Sequence, residues 1–178
     1  MTTDIKKSQK PKKTWWRHAL EILTLVSIFF AVMLWQERHL LSNDGHQKAP
    51  EQVLVGLDEN THALPINNQK QLLYFFAPWC TVCDISIGNI ELQKSALLNK
   101  GYQVRYIALD WKSQQEVQAF VDENDLTFPV LMGTKETMQQ YSIKGFPTYY
   151  LIDDNGVITA GSQGYSTSLG VWIRSLGQ

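Results

Sequence analysis

A continuous apolar run, "QLLYFF" (Gln71–Phe76), stands only Ala77, Pro78 and Trp79 away from a Cys-x-x-Cys pair, and no other stretch constrains this chain as much. An unbroken apolar strand has both faces covered, the condition of a strand inside an α/β sheet rather than on its surface. Downstream, Thr81 to Asn99 places Ile85, Leu92 and Ala96 on one helical face, with Ile90 and Leu97 close by, and ends at "NKG" with Gly101. The cysteines Cys80 and Cys83 therefore lie where a buried strand ends and a helix begins. Open α/β sheets place their chemistry at such carboxyl ends.

The remaining chain alternates in the same way. "QVLVGL" (Gln52–Leu57) and "THALPI" (Thr61–Ile66), separated by "DEN", read as a hairpin. "YQVRYIALD" (Tyr102–Asp110) is a strand. "SQQEVQAFVDEND" (Ser113–Asp125) opens like a capping box, Ser113 to Glu116, and reads as a helix. "TFPVLM" is a short strand, "KETMQQY" a short helix and "PTYYLID" (Pro147–Asp153) a strand that turns at "DNG" into "VITAG". "STSLGVWIRSL" closes as a capped amphipathic helix. Alternation of this kind predicts an α/β fold: a largely parallel, mixed sheet covered by helices on both faces, with an antiparallel hairpin at its end.

The first fifty residues have another character. Lys6, Lys7, Lys10, Lys12, Lys13 and Arg17 precede the uncharged "ILTLVSIFFAVMLWQ" (Ile22–Gln36). At ~1.5 Å per residue that run spans about 22 Å, short of a hydrocarbon core of roughly 30 Å. Extension back to Trp15 reaches spanning length and includes Glu21, one turn from Arg17 and able to pair with it near the interface. Trp15, Trp16 and Trp35 mark the two boundaries. The expected organisation is a cytoplasmic basic tail (1–14), a transmembrane signal anchor (15–37), a polar tether (38–50) and one exported domain (51–178). Cleavage as a signal peptide and a soluble helix are the competing readings. "WQERHLLSND" lacks an A-x-A cut site, and a soluble core helix needs no basic flank. Of 16 basic and 17 acidic residues, seven and three fall at or before Arg38, leaving nine and fourteen beyond it, a net −5 for the exported part. A domain so acidic is a poor partner for nucleic acid.

Both cysteines of the chain are in the pair. Zinc requires four ligands, and His18, His39, His46 and His62 all lie upstream without finger spacing. Two thiolates could hold Cu(I). A structural disulfide would close a loop of about four residues and contribute little through loop entropy. The redox reading has more physical support. At a helix N-terminus, unpaired N–H groups and the dipole favour the Cys80 thiolate, and Cys83, a turn further in, is placed to attack a mixed disulfide at Cys80. That chemistry needs neither metal nor cofactor.

"YFFAPWCTVC", "FPVLM" and "GFPTYYLIDDNGVI" together resemble the thioredoxin-fold proteins of the TlpA/ResA type, membrane-anchored thiol–disulfide oxidoreductases of the bacterial cell envelope. The resemblance covers roughly Val53 to Gln178. The short anchor, the bare "WCTVC" and the ending "GYSTSLGVWIRSL" are most similar to the anchored member of the suppressor-of-copper-sensitivity group. The resemblance implies a thioredoxin-like fold, single-pass attachment to the inner membrane with the domain in the periplasm, disulfide-bearing envelope proteins as substrates and a transmembrane electron donor. It also implies that Pro147 is a cis-proline beside the disulfide and that Phe146, just before it, offers backbone hydrogen bonds to an extended substrate segment. For Phe146 and Trp79, plain core packing competes with substrate support.

The chain departs from the family pattern in several places. Where thioredoxins carry a buried acid, six residues before the first cysteine, stands Tyr74; before the second cysteine stands Val82 rather than proline; and Gly88 replaces a helix proline while still permitting a bend. In place of the glutamate of ResA-type proteins the nearest residues are Asp110 and Lys112, which makes Asp110 the candidate proton acceptor for Cys83, with a residue that merely ends its strand as the competing reading. The dipeptide Thr81-Val82 supplies no cationic partner to a thiolate, which argues for a reductase over an oxidase. A copper- or haem-handling thiol module, and an interaction module with a vestigial pair, are the alternatives of other classes.

Overall fold

In the computed structural model the described residues are 14–37, 40–41, 46–127, 129–165 and 167–175. The basic tail up to residue 13, residues 38–39 and 42–45 of the expected tether, and Phe128 of the "FPVLM" motif lie outside them. The chain divides into two compact units, Met1–Arg38 and His39–Gln178. The first contains helix α1 (Thr14–Glu37), within which Trp15–Val32 is long and apolar enough to cross a membrane.

The second unit runs β1 (Gln52–Gly56), β2 (Thr61–Leu64), β3 (Lys70–Phe76), α2 (Thr81–Leu92), α3 (Lys94–Asn99), β4 (Tyr102–Ala108), α4 (Gln114–Glu123), β5 (Val130–Met132), α5 (Lys135–Gln140), β6 (Thr148–Ile152), β7 (Ile158–Gln163) and α6 (Ser168–Arg174). Its seven strands form one sheet in the order β2-β1-β5-β4-β3-β6-β7. The pairs β3–β4 and β4–β5 are parallel, whereas β1–β2, β1–β5, β3–β6 and β6–β7 are antiparallel. The sheet is thus mixed, with its parallel strands at the centre, as crossover helices require.

β3 has the two-sided burial expected of it. Leu72, Tyr74 and Phe76 join one core with residues of α2, α4 and α6, and Leu73 and Phe75 join a second core with Tyr141 and Ile143 after α5. Phe76 stacks on Phe120 of α4 with centroids 4.6 Å apart. On the other side Phe75 lies 5.0 Å from Tyr141 and 6.1 Å from Tyr150. At one edge, Arg105 of β4 donates to His62 Nδ1 (3.2 Å), and His62 Nε2 lies 3.0 Å from the Asp58 carboxylate, which ties the hairpin to the sheet. Hydrogen bonds from His62 and Asn60 hold the Asp58 carboxyl down at about 2.

Two expectations change in the helices. The single helix over Thr81–Asn99 is two, broken at Gln93 (φ −90°, ψ 0°) and not at Gly88. Both sides of the break are anchored: Tyr106 and Thr127 donate to Glu91 (2.8 and 3.1 Å), and Lys94 donates to Thr127 (2.5 Å). The buried face of α2 runs through Cys83, Ser86, Ile87 and Ile90, while Ile85 (62%) and Leu92 (79%) are exposed. In α4, Ser113 caps as expected by accepting from Glu116 N–H (3.2 Å), but the returning Glu116 carboxylate accepts from Lys112 N–H (2.8 Å) instead of Ser113.

Of the segment read as a tether, residues 40–41 and 47–50 are docked on their own domain. Leu40 and Leu41 pack against the second core, and Leu41 N–H donates to the hydroxyl of Tyr150 (3.1 Å). Ile158 N–H donates to Gln47 C=O (2.9 Å), Ala49 N–H to Gly156 C=O (2.9 Å), and the Tyr141 hydroxyl to Pro50 C=O (2.7 Å).

Candidate active site

Cys80 and Cys83 form a disulfide at the carboxyl end of β3, with Cα atoms 5.2 Å apart. Cys80 is the N-cap of α2, and its Sγ accepts a hydrogen bond from Cys83 N–H at 3.1 Å. The cap position normally belongs to a side-chain oxygen that satisfies an orphan N–H of the first turn. Here a sulfur occupies it, so negative charge on Cys80 is favoured by the helix end. The two sulfurs differ in access: Cys80 is 7% exposed and Cys83 is fully buried. A disulfide partner can approach the first and not the second.

Trp79, 56% exposed, stands beside the pair. Its indole N–H donates to both the backbone oxygen and the carboxylate Oδ2 of Asp110, each at 3.1 Å, across 31 positions of chain. Asp110 follows β4 in the left-handed region (φ 50°), where an Asp pays a small conformational cost. The Trp79 ring also meets Phe146 edge-on at 5.9 Å. The structure thus brings the cysteine loop, the loop after β4 and the loop before β6 together through Trp79, Asp110 and Phe146.

The Phe146–Pro147 bond is cis. Pro147 is buried, and its C=O accepts from Gly164 N–H at 2.7 Å. The backbone N–H and C=O of Phe146 make no hydrogen bond with another described residue. Tyr74, in the place of the buried acid, is fully buried, with Ser86 beside its hydroxyl. Burial holds that phenol far above its ordinary value of 10, so it stays protonated and is no base for Cys83. The Trp79–Asp110 bond was not legible in the sequence, since it joins loops after two different strands; the rule that chemistry gathers at strand carboxyl ends points to the region and not to the pair.

A disulfide capping the helix that follows a central strand of a mixed, helix-covered sheet defines the thioredoxin-like class. The chain belongs to the AhpC/TSA family, whose model matches residues 46–160. It is 32% identical over 117 residues to the thioredoxin-like protein YneN of Bacillus subtilis (strain 168), covering 63% of this chain and 67% of that one. It is 27% identical over 169 residues to the thiol-disulfide oxidoreductase ResA of Oceanobacillus iheyensis, covering 91% and 87%. Among solved structures, StoA from Bacillus subtilis superposes with a TM-score of 0.63 over 71% of this chain and 97% of that one, at 24% identity, a likeness of fold. Fold, disulfide and family together make the chain a thiol–disulfide oxidoreductase.

Proposed function

We propose that the protein reduces disulfides of cell-envelope proteins from a single-pass anchor in the bacterial inner membrane. The observation that carries this reading is the asymmetry of the pair: a helix-capping, accessible Cys80 over a fully buried Cys83. The reduced Cys80 thiolate attacks one sulfur of a substrate disulfide. A mixed disulfide forms and the first substrate thiolate leaves, taking up a proton. Cys83 then gives up its proton and attacks Cys80 Sγ, which closes the Cys80–Cys83 bond and releases the second substrate thiolate. The substrate gains two electrons and the protein loses two, to be restored by a membrane dithiol donor. Asp110 takes the Cys83 proton in this scheme: its carboxylate is exposed and held at the cysteine loop by Trp79.

Phe146 presents unpaired backbone groups, as addition of an extended substrate strand requires. An apolar helix over Trp15–Val32, preceded by the basic cluster, supports the anchor and an exported domain. The similarity of "WCTVC" and "GYSTSLGVWIRSL" to the suppressor-of-copper-sensitivity group supports substrates among proteins of copper tolerance. The test is trapping: full-length Cys83→Ser in its own membrane should accumulate mixed disulfides with envelope proteins at Cys80, released by dithiothreitol. Accumulation on Cys80→Ser instead, or on neither variant, would sink the scheme.

A further inference from the structure

Beside the disulfide, on the far side of Trp79 and Asp110, the carboxyl ends of β4 and β5 enclose a crevice of about 420 Å³ lined by Asp110, Trp111, Gly133, Lys135, Met138 and Gln139. The loops after β3, β4 and β5 all leave the sheet at this end, because these strands are mutually parallel. Asp110 belongs to both places: its carboxylate holds the Trp79 indole, and it forms one wall of the crevice. Phe146, the Trp79 ring and Asp110 thus link the cysteine loop to the crevice through one ring contact and one hydrogen bond.

The chemistry of the lining is specific. The Trp111 indole N–H is already spent on Gly133 C=O at 2.9 Å, which leaves its ring as apolar surface. Met138 adds a polarisable thioether, a side chain that adapts to aromatic guests. Gly133 leaves little room for a side chain, since a Cβ there would lie 2.6 Å from Leu109 Cδ2 and 2.8 Å from Ile107 Cγ2. The rim carries the opposed charges of Asp110 and Lys135. A site of this size, apolar below and polar at the edge, suits one large side chain.

We infer that this crevice is a specificity subsite, which receives a large apolar or aromatic side chain flanking the target half-cystine of an extended substrate segment laid across Phe146 and Trp79. The inference rests on Cys80 being the attacking sulfur. It makes Trp111 and Met138 contacts for substrate and gives Asp110 the further task of keeping Trp79 aligned between sulfur and subsite.

The experiment uses the full-length Cys83→Ser protein in detergent, where Cys80 is the sole thiol. Two peptides, identical except for Phe or Gly beside their one cysteine, are supplied with that cysteine joined to thionitrobenzoate. Cys80 attacks the peptide sulfur, the old S–S bond breaks, and the coloured thionitrobenzoate leaves as its thiolate, so capture rates are read by absorbance. Below saturation, the Phe peptide should be captured about tenfold faster than the Gly peptide, the discrimination an apolar pocket supplies. Filling the crevice by Gln139→Trp, and independently by Lys135→Trp, should bring that ratio close to one. Equal capture of both peptides by the parent, or a preference that survives both fillings, would overturn the subsite. Because capture requires only the Cys80 thiol, the ratio remains readable whether or not the protein turns over as a reductase.

Discussion

Cys80 Sγ sits where a helix would otherwise recruit a serine or aspartate oxygen, and the same geometry seals Cys83 beneath it. Electrostatics and access are thus divided between two residues three positions apart, and the pair itself could be read from a short motif. The proton partner could not. Tyr74 occupies the familiar acid position but is held protonated by burial and is no base for Cys83. Asp110, the base we propose, comes from the loop after β4 and is held there by the Trp79 indole. Asp110→Asn retains the shape and an oxygen for that hydrogen bond while losing the charge. It should therefore slow resolution of a preformed mixed disulfide by Cys83 about a hundredfold or more, the scale of general base assistance. Stopped-flow measurement of resolution checks this; a rate equal to wild type would remove Asp110 from the reaction.

At the scale of elements, patterns that depend on neighbours in sequence were legible: the doubly buried β3, the hairpin β1–β2, the Ser113 cap of α4. What depended on tertiary partners was not. The α2–α3 break falls where Glu91 and Lys94 are held by Tyr106 and Thr127, residues far along the chain. The buried face of α2 is chosen by Cys83, so Ser86 goes inside while Ile85 and Leu92 remain outside. The polar look of the tether hid the docking of residues 40–41 and 47–50, because the groups that bind them lie on Tyr141, Tyr150 and β7. In that strap the Tyr150 hydroxyl accepts from Leu41 N–H (3.1 Å) and donates to Tyr141 C=O (2.9 Å). Tyr150→Phe leaves both backbone groups without this partner, and should destabilise the domain by about 1–3 kcal/mol and quicken hydrogen exchange at Leu41. Unchanged exchange at Leu41 would show a strap that is not held there.

For the whole molecule, the two cores are rich in buried tyrosine. Burial, with a smaller push from Asp153 on Tyr102, raises Tyr102 and Tyr150 to about 12 from an ordinary value of 10. Burial raises Tyr74, Tyr106 and Tyr141 further, with Glu91 adding to the effect on Tyr106 and Tyr150 to that on Tyr141. The unfolded chain gives up these protons first. Stability is therefore intact below pH 10 and falls as pH rises from about 10 through 12. Alkaline titration should show the absorbance of these five tyrosinates appearing in one cooperative step together with loss of circular dichroism; their gradual ionisation near pH 10 in a folded protein would count against these cores.

The direction of electron flow is the central claim, and it is set by how strongly the protein favours the reduced thiolate. The helix end favours it, through the Cys83 N–H on Cys80 Sγ. The intervening Thr81-Val82 adds no cation or imidazole to strengthen that effect. The most direct measurement is the reduction potential of the Cys80–Cys83 pair in the full-length protein, equilibrated against glutathione and dithiothreitol buffers. The account predicts a value nearer thioredoxin's ~−270 mV than the ~−120 mV of a dedicated oxidant. A potential above roughly −150 mV, with rapid oxidation of reduced substrate proteins, would contradict it and make the protein an oxidase.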